Sequence, residues 1–326
     1  MIEAPGDGAL TSFPVAVALA DPDIAAAATD DGHDLAFTSV DGSTRLSHDL
    51  ESYMASGLVA WVAIPSLSAT TDTQIYLYYG NPSAVALPAA ATWSTDFMAV
   101  YHLQQDPGPG ATGDMRDATS NARDGTANPS MSSTNRVPGQ LGPAIDFSST
   151  SDDIQVASTD FGNTFTISMW IDLDNVGQIR TFLANSSDSS NTNGFRFFVN
   201  SDQSSDRQVR FETGNGGSSD TAMTATGAVT SQIWTNVAVI VSRSTGTASL
   251  VIDGVVMNTS DQTILNNFNT SGSFTIGHMS NNNPFSGVID EVEISSTSRS
   301  VEWLRTAYNN QRAPGQFYVV GPEESF

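Results

Sequence analysis

Cysteine and lysine are both missing from the 326-residue chain. Without cysteine there are no disulfides, no thiolate metal ligands and no thiol nucleophile. Without lysine, all twelve basic residues are arginine, set against 35 Asp and Glu for a formal net charge of −23. Such an anionic surface repels phosphate backbones and anionic lipid, which argues against nucleic-acid or membrane partners and favours divalent cations. No apolar run approaches the ~18 residues of a membrane-spanning helix. The first twenty residues, MIEAPGDGALTSFPVAVALA, lack the basic start of a secretory signal and carry acidic residues early. The chain is therefore expected to be a piece of a longer protein whose export signal lies outside it.

Charged residues are scarce at 14%, against 39% hydrophobic, so the polar surface must come from Ser, Thr, Asn and Gln with glycine turns. Alternation with period two dominates. Residues 13–20, 34–39, 59–65 and 74–80 read as short strands separated by DPD, DDG, DG and GNP turns. They form a first block, residues 1–95, read as a small β-sandwich domain. After Asn81-Pro82 the stretch SAVALPAAATW reads as a linker, or else as a strand crossing the first block.

From Phe97 the strands lengthen, and FMAVYHL runs into an irregular stretch, 106–125, of a length that is usually functional or organised by a metal. Strands are expected at AIDFS, DIQVA, FTISMWIDL, IRTFLAN, GFRFFVN, RQVRFET, IWTNVAVIVSR, ASLVIDGVVM, SFTIGHM and FSGVIDEVEIS. That spacing indicates a two-sheet sandwich or jelly roll. One helix is expected over VEWLRTAYNNQ, capped by Ser300 with Val301, Leu304 and Tyr308 as its apolar stripe. A last strand at about 316–322 would close the second domain, 96–326, and could pack on the first.

Taken in order, AVYHLQQD, DATSNARDGT, GPAIDFSSTSDDIQVA, FTISMWI, IWTNVAVIVSRSTGTASLVIDGVVM, FTIGH and FSGVIDEVEIS resemble a laminin-G-like domain of the concanavalin A-like lectin/glucanase superfamily. The first block, with LVAWVAIPSL and IYLYYGNPSA, resembles a small bacterial domain of unknown function that often precedes such a domain. The resemblance implies an all-β, concanavalin A-like jelly-roll sandwich of two antiparallel sheets. It also implies the adhesin and polysaccharide-binding roles of bacterial surface proteins.

Within SGVIDEVEIS, strand alternation puts Val288, Asp290, Val292 and Ile294 on one face and Ile289, Glu291 and Glu293 on the other. Asp290 then points into the core. An ionised carboxylate there must be paired or must hold a cation. The resemblance gives that aspartate to a structural calcium, with Asp117 and Asn121 as further ligands; hydrogen bonding of Asp290 to backbone amides, and an ordinary Asx-turn at Asp117 and Asn121, are the alternatives. Glu291 and Glu293 are spaced within the range of a glycosidase pair. Laminarinase-like relatives, however, carry Glu-x-Asp-x-(x)-Glu, and Ile289 stands where the first acid should be, so both read as an outer, solvated face.

Other chemistry finds no frame. His33, His48, His102 and His278 show no zinc spacing, no G-x-S-x-G elbow occurs, and TGNGGSS lacks the GK[ST] ending of a phosphate loop. Trp61, Trp170, Trp234 and Trp303 read as packed rather than sugar-stacking. The long polar loops are better ligand candidates, with Asp188, Asn193, Asn281 and Asn283 offering paired donors and acceptors for sugar hydroxyls.

The expectation is a non-enzymatic, calcium-containing carbohydrate-binding module of an extracellular bacterial adhesin, monomeric within a larger chain. A polysaccharide hydrolase or lyase on the same scaffold is the alternative, and a structural spacer or peptide-binding module the second.

Overall fold

The computed structural model describes residues 1–2, 8–54, 56–157, 159–186, 193–261, 268, 273–279 and 283–324. Contacts divide the chain into two compact units, one of Met1–Thr95, Ala118–Ser120 and Arg305–Phe326, the other of Asp96–Asp117 and Asn121–Leu304.

The first unit holds β1 (Leu10–Leu19), β2 (Ala36–Ser39), β3 (Arg45–Leu46), β4 (His48–Met54), β5 (Gly57–Leu67) and β6 (Ile75–Tyr78). They form two antiparallel three-stranded sheets, β1-β5-β4 and β3-β2-β6. Phe13, Val15, Ile64 and Val62 are buried along the β1–β5 ladder. Beside them Trp61 and Trp93 lie 5.4 Å apart, each donating its indole N–H to a buried carboxylate, Trp61 to Glu51 at 3.0 Å and Trp93 to Asp49 at 2.9 Å. The DPD segment is more than a turn. Asp21 accepts from the N–H groups of Asp23 and Ile24, and Pro22 opens helix α1 (Pro22–Ala27); proline lacks the N–H that the first turn leaves unused.

The expected C-terminal helix is present as α2 (Val301–Arg312), with the Ser300 hydroxyl accepting from the Trp303 N–H. Its buried Asn310 serves β1 as an extra strand would, accepting from the Ala16 N–H at 2.7 Å and donating to the Ala16 carbonyl at 2.9 Å. The last strand expected at 316–322 is not formed. Gln316 and Phe317 belong to the short helix α3 (Pro314–Phe317), and Tyr318 makes a single bridge with Ile2.

The second unit is an antiparallel sandwich. Its strands are β7 (Phe97–Tyr101), β8 (Thr126–Ala127), β9 (Arg136–Pro138), β10 (Pro143–Phe147), β11 (Ile154–Val156), β12 (Thr164–Leu173), β13 (Arg180–Ala184), β14 (Gly194–Val199), β15 (Val209–Gly214), β16 (Ser219–Met223), β17 (Thr235–Ser242), β18 (Thr247–Ile252), β19 (Val255–Asp261), β20 (Phe274–Ile276) and β21 (Gly287–Ser295). One sheet runs β19-β18-β17-β12-β21-β10-β9 with β7 also on β21, and the other runs β16-β15-β14-β13-β20-β11-β8. Alternate residues of both sheets point between them and form one core. Its centre is aromatic: Phe161 meets Phe165, Phe195 and Phe274 edge-on at 5.3, 5.0 and 5.8 Å, the geometry that ring quadrupoles favour.

Three local features depart from simple alternation. ASLVIDGVVM is a hairpin rather than one strand: Asp253 (φ 50°) and Gly254 (φ 73°) form a two-residue turn between β18 and β19, with Ile252 opposite Val255, as Asp-Gly does in right-twisted hairpins. The end of the polar loop read over 213–220 is instead the start of edge strand β16, Ser219–Met223. The third feature is a bulge on β21: Glu293 pairs with Ser168 and Asp290 with Trp170, which leaves one extra residue on β21 and puts Glu291 at φ 50°.

The β14–β15 connection is organised by side chains. Asn200, fully buried, accepts from the Arg207 N–H at 2.7 Å, and Asp206 accepts from the Ser201 hydroxyl at 2.6 Å and from Arg210 at 3.2 Å. Burial alone would raise the Asp206 carboxyl, but the Ser201 hydroxyl, the Gln208 N–H, Ser204 and Arg210 outweigh it and hold it at about 2.

Two outcomes follow from this packing. Phe161→Ala is expected to cost about 3–5 kcal/mol in denaturant unfolding, and a loss below about 1 kcal/mol would mean that the ring cluster does not hold the sheets together. Because the folded Asp206 carboxyl lies below its unfolded value, its stabilisation is complete above about pH 4 and is lost as pH falls through about 2. The stability gap between the parent and Asp206→Asn should therefore narrow over that window. A gap that stays constant down to pH 2 would contradict the assignment.

Candidate functional site

The bulge on β21 relocates the three carboxylates that the sequence singles out. Ile289, Val292 and Ile294 face the core, so inward and outward positions change places at the left-handed Glu291. Asp290 is fully buried, but on the sheet face away from the main core, opposite Trp170. Its Oδ2 accepts from the Leu141 N–H at 2.9 Å. Gly139 lies so close that an added Cβ would sit 2.4 Å from that oxygen, so only glycine fits there. Glu291 and Glu293 are not solvated: both are buried, and Glu291 Oε2 is 2.8 Å from His102 Nδ1. Alternation fails at this strand because one residue of left-handed backbone reverses the side of everything beyond it.

Asp117 is buried, with Oδ1 accepting from the Val100 N–H at 3.0 Å and Oδ2 from the Arg123 N–H at 2.9 Å. Asn121 donates through Nδ2 to the carbonyls of Phe97 and Met98 at 3.0 and 3.1 Å. Asp124 accepts from the Asp117 N–H and Asp114 from the Ala127 N–H, so the stretch 106–125 is stitched together by side-chain-to-backbone bonds. Calcium needs six to eight oxygen ligands, whereas the groups described around these carboxylates are N–H donors.

Of the loop candidates, Asp188 and Asn281 lie outside the described residues. Asn193 is exposed beside Gly216, at the Gly194 end of β14. Asn283 (φ 53°) accepts through its carbonyl from the Thr181 N–H at 3.2 Å. Thr181 pairs with Phe198, near the other end of β14, so the register separates Asn193 from Asn283 instead of gathering them.

The register does gather another set. On the outer face of the seven-stranded sheet, Thr221, Glu212, Arg196, Ala184, Thr275, Gln155 and Thr126 stand directly opposite one another, one from each strand. At the usual strand spacing the row is about 29 Å long. All but Ala184 are polar, and Ala184 at the middle is buried, as are most of the Arg196 and Glu212 side chains beside it. Arg196 Nε donates to Glu212 Oε1 at 2.9 Å, the Thr221 hydroxyl donates to Glu212 Oε2 at 3.2 Å, and the Arg196 guanidinium lies 4.2 Å from the centre of the buried Phe198 ring. Gln155 is exposed, and Thr126, Thr221 and Thr275 are half-buried. A lone charge among the aromatics of GFRFFVN and the alternating Arg210 and Glu212 of RQVRFET foreshadow Arg196 and Glu212. Their alignment with residues from five other strands comes only with the fold.

Residues 148–305 match the family described as the concanavalin A-like lectin/glucanases superfamily, and residues 31–99 match a domain of unknown function (DUF2341). The chain carries a concanavalin A-like, laminin-G-like domain preceded by that second domain. The lectin-like sandwich extends N-terminal to the matched region, since β7, β9 and β10 complete one of its sheets. No curated protein matches the chain. Among solved structures, domain 4 of AbnA, a GH43 extracellular arabinanase from Geobacillus stearothermophilus, in complex with arabinotriose, is 17% identical, with 64% of this chain covering 97% of that one at a TM-score of 0.50. The botulinum neurotoxin serotype D ligand-binding domain in complex with N-acetylneuraminic acid is 15% identical, with 66% of this chain covering 51% of that one at 0.49. This chain spans about half the length of that neurotoxin domain. At 17% identity the likeness to the AbnA domain is one of fold.

If amide donors hold the buried aspartates, adding calcium to the EDTA-treated chain should leave the melting temperature unchanged, and Asp290→Ala should cost about 1–3 kcal/mol by leaving the Leu141 N–H without an acceptor. A melting temperature that drops with EDTA and recovers with calcium, but not in the Asp290 variant, would put the cation back at this position.

Proposed function

We propose that the lectin-like domain is a non-enzymatic carbohydrate-binding module that lays an extended, neutral glycan along the polar row on its seven-stranded sheet. The observation that carries this reading is the seven-residue alignment from Thr126 to Thr221, six of its members able to hydrogen-bond. Hydroxyl and amide groups both donate to and accept from sugar hydroxyls, whereas a guanidinium only donates and a carboxylate only accepts. The AbnA domain, bound to arabinotriose, adds that this fold carries sugar in another protein.

Charge selects the glycan class. A net charge of −23 opposes polyuronates and sulfated chains, so neutral polysaccharides are the expected ligands. Hydrolysis of a glycosidic bond needs two carboxyl groups across the scissile bond, and the row contains one, Glu212, already held by Arg196 and Thr221. Weak binding at one row would be raised by repetition in a larger surface protein, which suits an extracellular adhesin with this module as a monomeric part. A calcium ion is not needed for this mode of binding.

A glycan array of neutral and anionic polysaccharides, followed by calorimetry, tests the reading. Affinity should rise with oligosaccharide length until the chain spans the row. Gln155→Ala and Thr126→Ala should each weaken binding about three- to tenfold, the worth of one hydrogen bond, without moving the melting temperature. Release of new reducing ends, or neutral-glycan binding untouched by both substitutions, would overturn it.

A further inference from the structure

We propose that His278 and Asp153 form a two-residue seat for a divalent transition-metal ion of the zinc class in the lectin-like domain. The two side chains come from adjacent strand ends. Ile154 of β11 pairs with Ile276 of β20; Asp153 precedes the first and His278 lies two residues beyond the second. Both side chains are more than nine-tenths buried, at 5% and 8% exposure, with His278 Nδ1 and Asp153 Oδ2 3.7 Å apart. That gap is too long for a hydrogen bond. His278 Nδ1 and Asp153 Oδ1 are both buried without a hydrogen-bond partner among the described residues.

Buried polar atoms left without partners on two neighbouring side chains, one on His278 and one on Asp153, call for a third body that bonds to both residues. Neighbouring groups are already engaged: Asp152 Oδ2 accepts from Asn135 Nδ2 at 3.1 Å and from the Ser149 N–H at 2.9 Å, and the Asp153 carbonyl accepts from the Asn128 N–H at 2.8 Å. An ion about 2.1 Å from each of two tetrahedral ligands holds them about 3.4 Å apart, so the observed gap closes on a metal with a shift of a few tenths of an ångström. Imidazole with carboxylate suits zinc, cobalt, nickel or manganese, whereas calcium prefers oxygen alone. The anionic surface raises the local concentration of any divalent cation. With two protein ligands the remaining positions fall to water, so the site binds reversibly and serves to fasten the ends of β11 and β20 to each other.

The test uses the full chain without an affinity tag, stripped with chelator and titrated with zinc, cobalt, manganese, magnesium or calcium chloride. One equivalent of zinc or cobalt should bind and raise the melting temperature by a few degrees, and magnesium and calcium should not. His278→Gln and Asp153→Asn should abolish that equivalent, while His33→Gln, altering the exposed His33–Asp31 pair, should retain it. A cobalt-soaked crystal of the unsubstituted chain, read by anomalous scattering, decides the matter even if the variants fail to fold: density bonded to His278 Nδ1 supports the seat. A water alone in the gap, or metal bound only at other histidines, overturns it.

Discussion

One left-handed residue on a central strand sets the character of the lectin-like domain. β21 hydrogen-bonds to β12, β10 and β7, so a reversal of its alternation at Glu291 is transmitted to three neighbours. It lets Ile289, Val292 and Ile294 all face the core while Asp290 and Glu293 both face away. A regular strand would have driven Asp290 among the phenylalanines or pulled two aliphatic residues out. Strain of this kind costs about 1–3 kcal/mol and persists where the surroundings dictate it; the paired ladders on both sides do so.

The two sheet faces that result differ in kind. Beside β21 the outward carboxylates are buried and tied to backbone amides or to histidine, an arrangement that fixes structure. On the opposite sheet the outward groups form a polar row in register, reachable at Gln155 and the three threonines and largely buried at Ala184, Arg196 and Glu212. Recognition of an extended chain asks for such a surface: donors and acceptors held by rigid ladders, at the strand spacing, with little side-chain freedom left to lose on binding.

Much of this was legible in the sequence. The strands of the second unit, the Ser300-capped helix and the sandwich architecture follow from alternation, turn residues and capping. The bulge was not, because Glu291 is neither glycine nor asparagine and nothing in VIDEVEI marks it as left-handed. The Asp253-Gly254 turn was readable and was passed over in favour of a longer strand; Asp21-Pro22 likewise announced α1 and was read as a turn. For the site, Asn193 and Asn283 were chosen as loop polar residues, yet loop membership does not state which end of a sheet a loop serves. The Thr126–Thr221 row eluded the sequence for a related reason: each member is ordinary within its own strand, and only pairings between distant segments align them.

Strand β7 joins its sheet by lying against β21, Tyr101 opposite Val292, with nearly all of the domain's chain between them. During synthesis the partner of this first strand is the last strand of the domain to leave the ribosome. Until then its five buried residues, Phe97 to Tyr101, have no ladder to join, and the cost of closing so large a loop falls on one late step. The sandwich is thus completed from its C-terminal side, and an interrupted translation would release a half-built sheet with an apolar strand exposed to aggregation.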